Sequence, residues 1–210
     1  SAASDVYKRQ VDYLIITHDH YDHLDYGTVK AIRDKVNKVI CPLGVGEHLE
    51  YWGYSAEKIV EMDWNEVYTS EPGFRITCLP ARHFSGRFLR QNPSLWALFM
   101  LEGHSTVYIG GDSGYGAHFS EIGKRFPHID LAILENGQYN EDWRYIHTMP
   151  EQLPVEVHEL DAAKVLPVHN SKFSLSRHAW DEPIHRIEQA ATKDSSLHVI
   201  HGIIGSPITY

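Results

Sequence analysis

The stretch Thr17-His18-Asp19-His20-Tyr21-Asp22-His23 concentrates metal-binding side chains in one short segment. Its three imidazoles and the Asp22 carboxylate, packed together, would repel one another or stay unsatisfied, whereas Zn²⁺ at about 2.0–2.1 Å from each nitrogen removes that penalty. Residues two apart in an extended loop share a face, so His18 and His20 can serve one ion. Asp22 and His23 fall on the following turn, where a second ion can bind. A solvated histidine-rich loop is the alternative in a chain with 15 His.

Four apolar runs along the chain each end at a residue that can bind metal. They are 11–17 before His18, 74–80 before His83, 106–111 before Asp112 and 163–168 before His169. Strands that end along one edge of a sheet bring their terminal residues to one place, which is the usual way that a rigid fold positions chemistry. A further run, 129–134, leads toward the same edge and ends before Glu135, which we interpret as a supporting or structural residue.

Together these positions form a complete donor set for two ions. The predicted ligands are His18, His20 and His83 for the first ion, Asp22, His23 and His169 for the second, and Asp112 as the bridge between them. Nitrogen and oxygen donors of this kind suit Zn²⁺ best, with Fe²⁺ and Mn²⁺ as the alternatives. Two ions lower the pKa of bound water to about 7 and clamp the entering and leaving oxygens, so the site predicts a hydrolase. Asp22 is also the candidate catalytic residue, because its carboxylate can orient the attacking hydroxide.

Helices are predicted between the strands, and this alternation indicates an α/β or α+β layered domain. They cover 26–36, 46–52, 117–125 and a stretch through 192 that has Pro183 in its first turn, where a missing N–H costs nothing. A chain of 210 residues fits one domain, which we place at 11–210. Residues 1–10 show neither strand nor helix periodicity and are expected to be extraneous or disordered.

The composition indicates which classes of binding partner and which cellular compartment are expected. A net charge of −9, with scattered Lys and Arg, gives no footprint for nucleic acid or an anionic membrane surface. Cys41 and Cys78 form no CxxC pair, so neither a disulfide framework nor a thiolate zinc site is predicted. No apolar stretch approaches the roughly 20 residues of a membrane span. A small-molecule or lipid substrate and a cytoplasmic location are expected, with a lost N-terminal signal as the alternative; the oligomeric state is left open.

The HxHxDH run, followed by a later His, Asp and His, resembles the metallo-β-lactamase superfamily over about 11–201. Longer segments are similar to the branch that contains N-acyl-phosphatidylethanolamine-hydrolysing phospholipase D and its bacterial relatives. These segments are HDHYDHLD at 18–25, PLGVG at 42–46, RHFSGR at 82–87, GDSGY at 111–115 and PVHNSKF at 167–173. The resemblance implies a four-layer αβ/βα sandwich in which a metal-bound hydroxide attacks a phosphodiester. It also implies strands upstream of the motif, so the first strands are expected to be missing here.

Two further residues are candidate substrate contacts. The resemblance puts His147, in YIHTMP at 145–150, where relatives carry a substrate-contacting His, with a structural surface His as the alternative. Tyr115 offers its hydroxyl to a substrate, or else is a buried Tyr with one satisfied hydrogen bond. The remaining histidines are interpreted as surface or packing residues: His48, His104, His118, His128, His158, His178, His185, His198 and His201.

Other functions fit the residues less well. A trypsin-like serine protease is disfavoured because Tyr115 follows Gly111-Asp112-Ser113-Gly114 where a further Gly is expected, and no disulfides accompany the motif. A true β-lactamase often has a thiolate where Asp112 provides oxygen, and a nucleic-acid enzyme conflicts with the acidic balance. A sugar-phosphate lactonase, or another ester or thioester hydrolase, needs the same hydroxide and is the main alternative. A metal-binding relative that has no catalytic activity is the second alternative.

Overall fold

The computed structural model describes residues 10–71, 73–172, 175–203 and 206–210. The expectation for residues 1–10 lies outside these ranges except for Gln10, and so does Phe173 of the motif at 167–173. Among the described residues, no helix combines the length and the apolar character needed to cross a membrane.

The HxHxDH run follows the first strand of a small parallel sheet. Its strands, in the order β1-β2-β3, are β1 (Val11–Ile15), β2 (Val36–Pro42) and β3 (Ile59–Met62). Valine and isoleucine are frequent in these strands, because β-branched side chains favour an extended backbone. Because the motif directly follows the carboxyl end of β1, it lies at one edge of this sheet.

Two helices connect the strands of the first sheet. They are α1 (Tyr26–Ile32), which continues as a 3-10 turn over Arg33–Lys35, and α2 (Gly46–Tyr51). The Asp25 side chain caps α1 by accepting the Thr28 backbone N–H at 2.7 Å. The capping residue lies two positions after His23 and α1 begins at the next residue, so the helix limits the length of the motif loop.

The second sheet is larger and mixed. Its strands are β4 (Val67–Glu71), β5 (Phe74–Leu79), β8 (Leu98–Glu102), β9 (Thr106–Ile109), β10 (Leu131–Glu135) and β11 (Val165–Val168). They lie in the order β11-β10-β9-β8-β5-β4, antiparallel from β4 to β9 and parallel from β9 to β11. A separate hairpin pairs β6 (Gly86–Arg87) with β7 (Arg90–Gln91). Because β9, β10 and β11 are parallel, their carboxyl ends share one edge.

Three helices accompany the second sheet, and apolar clusters separate four layers. The helices are α3 (His118–Arg125), α4 (Leu153–Glu159) and α5 (Glu182–Lys193). One cluster, which includes Ile40 and Phe99, fills the space between the two sheets. A second cluster packs α1 and α2 on the outer face of the first sheet, and a third packs α3, α4 and α5 on the outer face of the second sheet. This α/β/β/α order confirms the predicted four-layer sandwich.

The element boundaries differ from the predictions in three places. Helix α4 is not predicted, because it is short and its early Pro154 and buried Glu156 obscure the amphipathic pattern. Helix α1 ends at Ile32 instead of residue 36, since Val36 already begins β2. Three of the strands before the predicted ligands also end early: β1 stops at Ile15 and β9 at Ile109, each two residues before the predicted end, and β5 stops at Leu79, one residue before it. The last residues of those apolar runs belong to the loops that carry the site.

Candidate metal centre

The structure brings all seven predicted metal donors to one edge of the two sheets. They lie in the loops after β1, β5 and β9 and directly after β11, and their ligand atoms form overlapping groups within 4.8 Å of one another. The groups are His18, His20 and His83; His18, His23 and Asp112; Asp22, His23 and His169; and Asp112, Glu135, His147 and His169. The last group contains two residues that the predicted ligand set lacks.

The first group has the geometry of a tetrahedral site. His20 Nδ1 lies 3.0 Å from His18 Nε2 and 3.2 Å from His83 Nε2. Nitrogen ligands at about 2.0–2.1 Å from a tetrahedral Zn²⁺ are roughly 3.3 Å apart, so these separations fit one ion. The other ring nitrogens have partners: His18 Nδ1 is 3.1 Å from Thr17 Oγ1, and His83 Nδ1 donates to the Ile146 carbonyl at 2.9 Å. Such contacts hold a ligand ring in its binding orientation.

The second group combines one carboxylate with two imidazoles. Asp22 Oδ2 lies 3.3 Å from His169 Nε2 and 3.5 Å from His23 Nε2. His169 has a backbone φ of 63°, in the left-handed region that residues with a side chain rarely adopt. His169 adopts this backbone conformation directly after the end of β11, where its imidazole ring enters the site.

Asp112 lies between the two groups. Its Oδ2 is 3.2 Å from His23 Nε2, 3.9 Å from His18 Nε2 and 3.8 Å from His83 Nε2. The side chain is almost completely buried, so its charge faces the histidines and not solvent. A carboxylate in this position can contact an ion on either side.

Burial and charge act differently on the individual histidines. Burial lowers the pKa of His83 to about 4 and also lowers the pKa of His18, so both rings are neutral near pH 7. For His169, burial lowers the pKa, but the neighbouring Asp22 and Glu135 carboxylates outweigh it and raise the pKa to about 10. Without a cation, the second group thus keeps a proton on His169 that a metal ion would have to displace.

Three buried polar atoms fit a metal-bound state better than a metal-free one. Among the described residues, His23 Nε2, Asp112 Oδ1 and His169 Nδ1 have no hydrogen-bond partner. Leaving such atoms unpaired costs free energy, and a cation would satisfy the first two directly. The donor chemistry and these unsatisfied atoms therefore agree with a pair of divalent cations.

A cavity of about 620 Å³ opens above these donors. His20, Asp22 and Asp112 contribute to its polar wall. Most of the rest of the wall is aromatic or aliphatic, and is formed by Tyr21, Phe84, Trp143, Ile146 and Leu175. A ligand in this cavity can place a polar group on the donors and an apolar group against this wall.

The two candidate substrate contacts have different positions. His147 lines the cavity, and its ring packs edge-on against His83 at 5.3 Å between centroids. Tyr115 is not among the residues that line this cavity. Its hydroxyl donates to Glu159 at 2.9 Å and its ring stacks on Phe119, so it has the structural role that was the alternative interpretation. We therefore withdraw Tyr115 as a substrate contact.

Two further carboxylates lie near the site: Asp19, to which the sequence analysis gives no role, and Glu135, which it interprets only as a supporting or structural residue. Asp19 is buried and accepts the Gly86 backbone N–H at 2.7 Å, which ties the motif loop to the β6-β7 hairpin. Glu135 ends β10 and lies 2.7 Å from His147 Nδ1. Its position after an apolar strand is the only sequence signal for it, because its partners come from distant segments.

Comparison with known proteins agrees with this fold. A family model described as "Beta-lactamase superfamily domain" matches residues 3–170. An uncharacterized protein of Mycobacterium tuberculosis is 42% identical over 186 residues, covering 86% of this chain and 50% of that protein. The mitochondrial N-acyl-phosphatidylethanolamine-hydrolyzing phospholipase D of Saccharomyces cerevisiae is 32% identical over 191 residues, covering 86% of this chain and 40% of that enzyme. The chain thus spans half or less of the length of these two relatives.

A solved structure extends the comparison to the fold. Igni18, a metallo hydrolase from Ignicoccus hospitalis, superposes with a TM-score of 0.71 at 21% identity, over 93% of this chain and 77% of that one. The layers and the edge site thus define a metallo-β-lactamase fold. By the family match, the chain belongs to the β-lactamase superfamily.

Proposed function

We propose that this chain is a metal-dependent hydrolase that holds two divalent cations and cleaves a phosphodiester. The proposal depends on the meeting of two donor groups at Asp112, whose Oδ2 is 3.2 Å from His23 Nε2 and 3.8 Å from His83 Nε2. Zn²⁺ is the proposed cation, with Fe²⁺ and Mn²⁺ as alternatives, because imidazole predominates among the donors. Similarity to the yeast phospholipase D supports a phosphodiester substrate.

In this reaction, the cation pair and the cavity residues would have different roles. Once bound, the cation pair supplies a water of lowered pKa and a Lewis acid for the oxygen that gains charge. Asp22 lines the cavity and can accept a hydrogen bond from the attacking water, which fixes its direction. His147 lines the cavity wall, where its free ring nitrogen can accept a hydrogen bond from the attacking water or from a protonated substrate oxygen.

The apolar wall of the cavity favours a substrate with a hydrocarbon part. Each CH₂ group buried against this wall contributes about 0.8 kcal/mol to binding. A sugar phosphate has no comparable group to bury, whereas an alkyl or acyl phosphodiester does. We therefore place a lipid-like phosphodiester ahead of a sugar-phosphate lactone.

The test compares substrate classes on the metal-loaded protein. We expect hydrolysis of bis-p-nitrophenyl phosphate and of alkyl p-nitrophenyl phosphodiesters, with KM falling as the alkyl chain lengthens from two to eight carbons. Loss of activity with EDTA and its return with Zn²⁺ would support a metal requirement. Faster cleavage of lactones or thioesters would favour the alternative hydrolases. Two bound metal ions without hydrolysis of a substrate from any of these classes would contradict the proposal that the chain is an enzyme.

A further inference from the structure

Glu135 occupies a position that neither the predicted ligand set nor the proposed reaction uses. It is the last residue of β10 and only 3% exposed, so a charged carboxylate there requires compensating donors. Strand β10 lies between β9 and β11, whose ends lead to Asp112 and His169. The carboxylate is therefore enclosed by the segments that form the metal centre.

The two oxygens of Glu135 have separate partners. Oε1 accepts the backbone N–H of Ser113 at 2.8 Å and that of Thr148 at 3.1 Å. Oε2 faces two imidazoles, with His147 Nδ1 at 2.7 Å and His169 Nδ1 at 3.5 Å. The backbone donors hold the plane of the carboxylate, so the direction in which Oε2 points is set by the surrounding loops.

The contact with His147 decides which ring nitrogen faces the cavity. A carboxylate oxygen accepts hydrogen bonds, so Nδ1 carries the proton and Nε2 is the nitrogen left for a ligand. The ring cannot easily turn, because it stacks on His169 at 5.7 Å with 16° between planes and packs edge-on against His83. Glu135 thus controls both the tautomer and the orientation of His147.

We propose that Glu135 is a positioning residue, which holds His147 with Nε2 toward the substrate. This inference rests on the proposed function for the role of His147. A direct ligand role for Glu135 is the competing explanation, since Asp112, Glu135, His147 and His169 offer atoms within 4.8 Å of one another. Positioning is favoured because protein donors already occupy both carboxylate oxygens.

The test uses Glu135→Gln with Glu156→Gln as the matched control. Glu156 is also a buried glutamate, and it accepts the Thr148 hydroxyl at 2.7 Å without contacting a predicted ligand in the described structure. In Glu135→Gln, the amide oxygen would stay on the two backbone donors and the NH₂ group would face His147, reversing the hydrogen bond. We expect kcat to fall about 10–100-fold with KM within about threefold and metal content at the wild-type level, and Glu156→Gln to stay within about twofold of wild type.

Two further readouts separate positioning from general structural damage. Histidine ¹⁵N NMR of the metal-loaded wild type, with His147→Gln to assign the signal, should show the His147 proton on Nδ1, and Glu135→Gln should move it to Nε2. The Glu135→Gln/His147→Gln double variant should have the kcat of His147→Gln alone, because the first residue acts through the second.

Three results would overturn this role. The first is a His147 proton on Nε2 in the wild type, and the second is that the kcat losses of the two single variants add in the double variant. The third is loss of a metal ion in Glu135→Gln, which would make Glu135 a metal ligand. The NMR and metal measurements need no turnover, so they judge Glu135 even if every substrate of the proposed function fails.

Discussion

At the scale of single residues, Asp112 is a carboxylate buried among the candidate metal donors. Its carboxylate is buried, one oxygen lacks a hydrogen-bond partner among the described residues, and the other lies within 4 Å of histidines from both donor groups. A buried charge of this kind is stable only if cationic partners surround it. Changes to Asp112 should therefore affect both ions.

We expect His20→Ala and Asp112→Ala to lose bound metal and activity together. The first removes a nitrogen that lies 3.0 Å from His18 Nε2, and the second removes the proposed bridge. Elemental analysis and turnover of bis-p-nitrophenyl phosphate measure the two losses. His185→Ala is the control, since that side chain is 63% exposed on α5 and pairs only with nearby acidic residues of the described chain. Equal activity in all three variants would refute the assignment.

The two cysteines should be unreactive in the native protein. Both are fully buried, and burial raises the pKa of the Cys78 thiol to about 12 and that of Cys41 further. Since the thiolate is the reactive form, both remain protonated at pH 8. Ellman's reagent should therefore titrate none of the thiols in buffer and two in 6 M guanidinium chloride. Rapid reaction of either thiol in buffer would show that it is accessible.

At the scale of elements, the packing of α3 on α4 depends on one glycine. A Cβ on Gly123 would lie 1.9 Å from the Glu159 carbonyl oxygen, and backbone cannot rotate away as a side chain can. This close approach brings the two helices together on the outer face of the second sheet.

Gly123→Ala should therefore destabilise the fold, although alanine is the better helix former by about 1 kcal/mol. We expect the clash to outweigh that gain and to lower the free energy of unfolding by about 1–3 kcal/mol, measured by urea denaturation. Lys124→Ala, at the next and exposed position of α3, should change it by less than about 0.5 kcal/mol. A stable Gly123→Ala variant would mean that α3 and α4 can separate at little cost.

At the scale of the whole molecule, the metal centre joins segments from both sheets. The motif loop follows the first sheet, whereas His83, Asp112 and His169 follow strands of the second. Cations that bind only the folded chain add their binding free energy to its stability, about 2.7 kcal/mol at a free concentration of 100 Kd. We expect Zn²⁺ to raise the melting temperature by roughly 5–10 °C and EDTA to reverse this in calorimetry. Asp112→Ala should show a much smaller shift, and an unchanged wild-type melting temperature would contradict a folded-state site.

Metal binding should also release protons. The pKa of His169 is raised to about 10 in the metal-free chain, so the ring is protonated at pH 7 and must become neutral to bind an ion. Affinity should therefore increase with pH up to about that value. Calorimetric titration in two buffers of different ionisation enthalpy measures the release, and His185→Ala should release as many protons as wild type. Binding without proton release would show that His169 stays outside the coordination sphere.

Much of the fold and of the candidate site could be predicted from local patterns. The spacing of His18, His20, Asp22 and His23 identifies donor chemistry within a few residues, and strand periodicity indicated where the partner loops end. The resemblance supplied the four-layer arrangement, which the structure confirms. The ligand assignment itself stays a prediction until metal is measured.

The sequence by itself predicts a candidate donor set, from the order of residues along short segments, and the class of fold, from the resemblance that these segments carry. Only the tertiary structure decided that Glu135 meets His147 and that Tyr115 faces Glu159. The physical reason is that these contacts join segments 12 and 44 residues apart, and the packing of strands and helices sets which distant side chains meet.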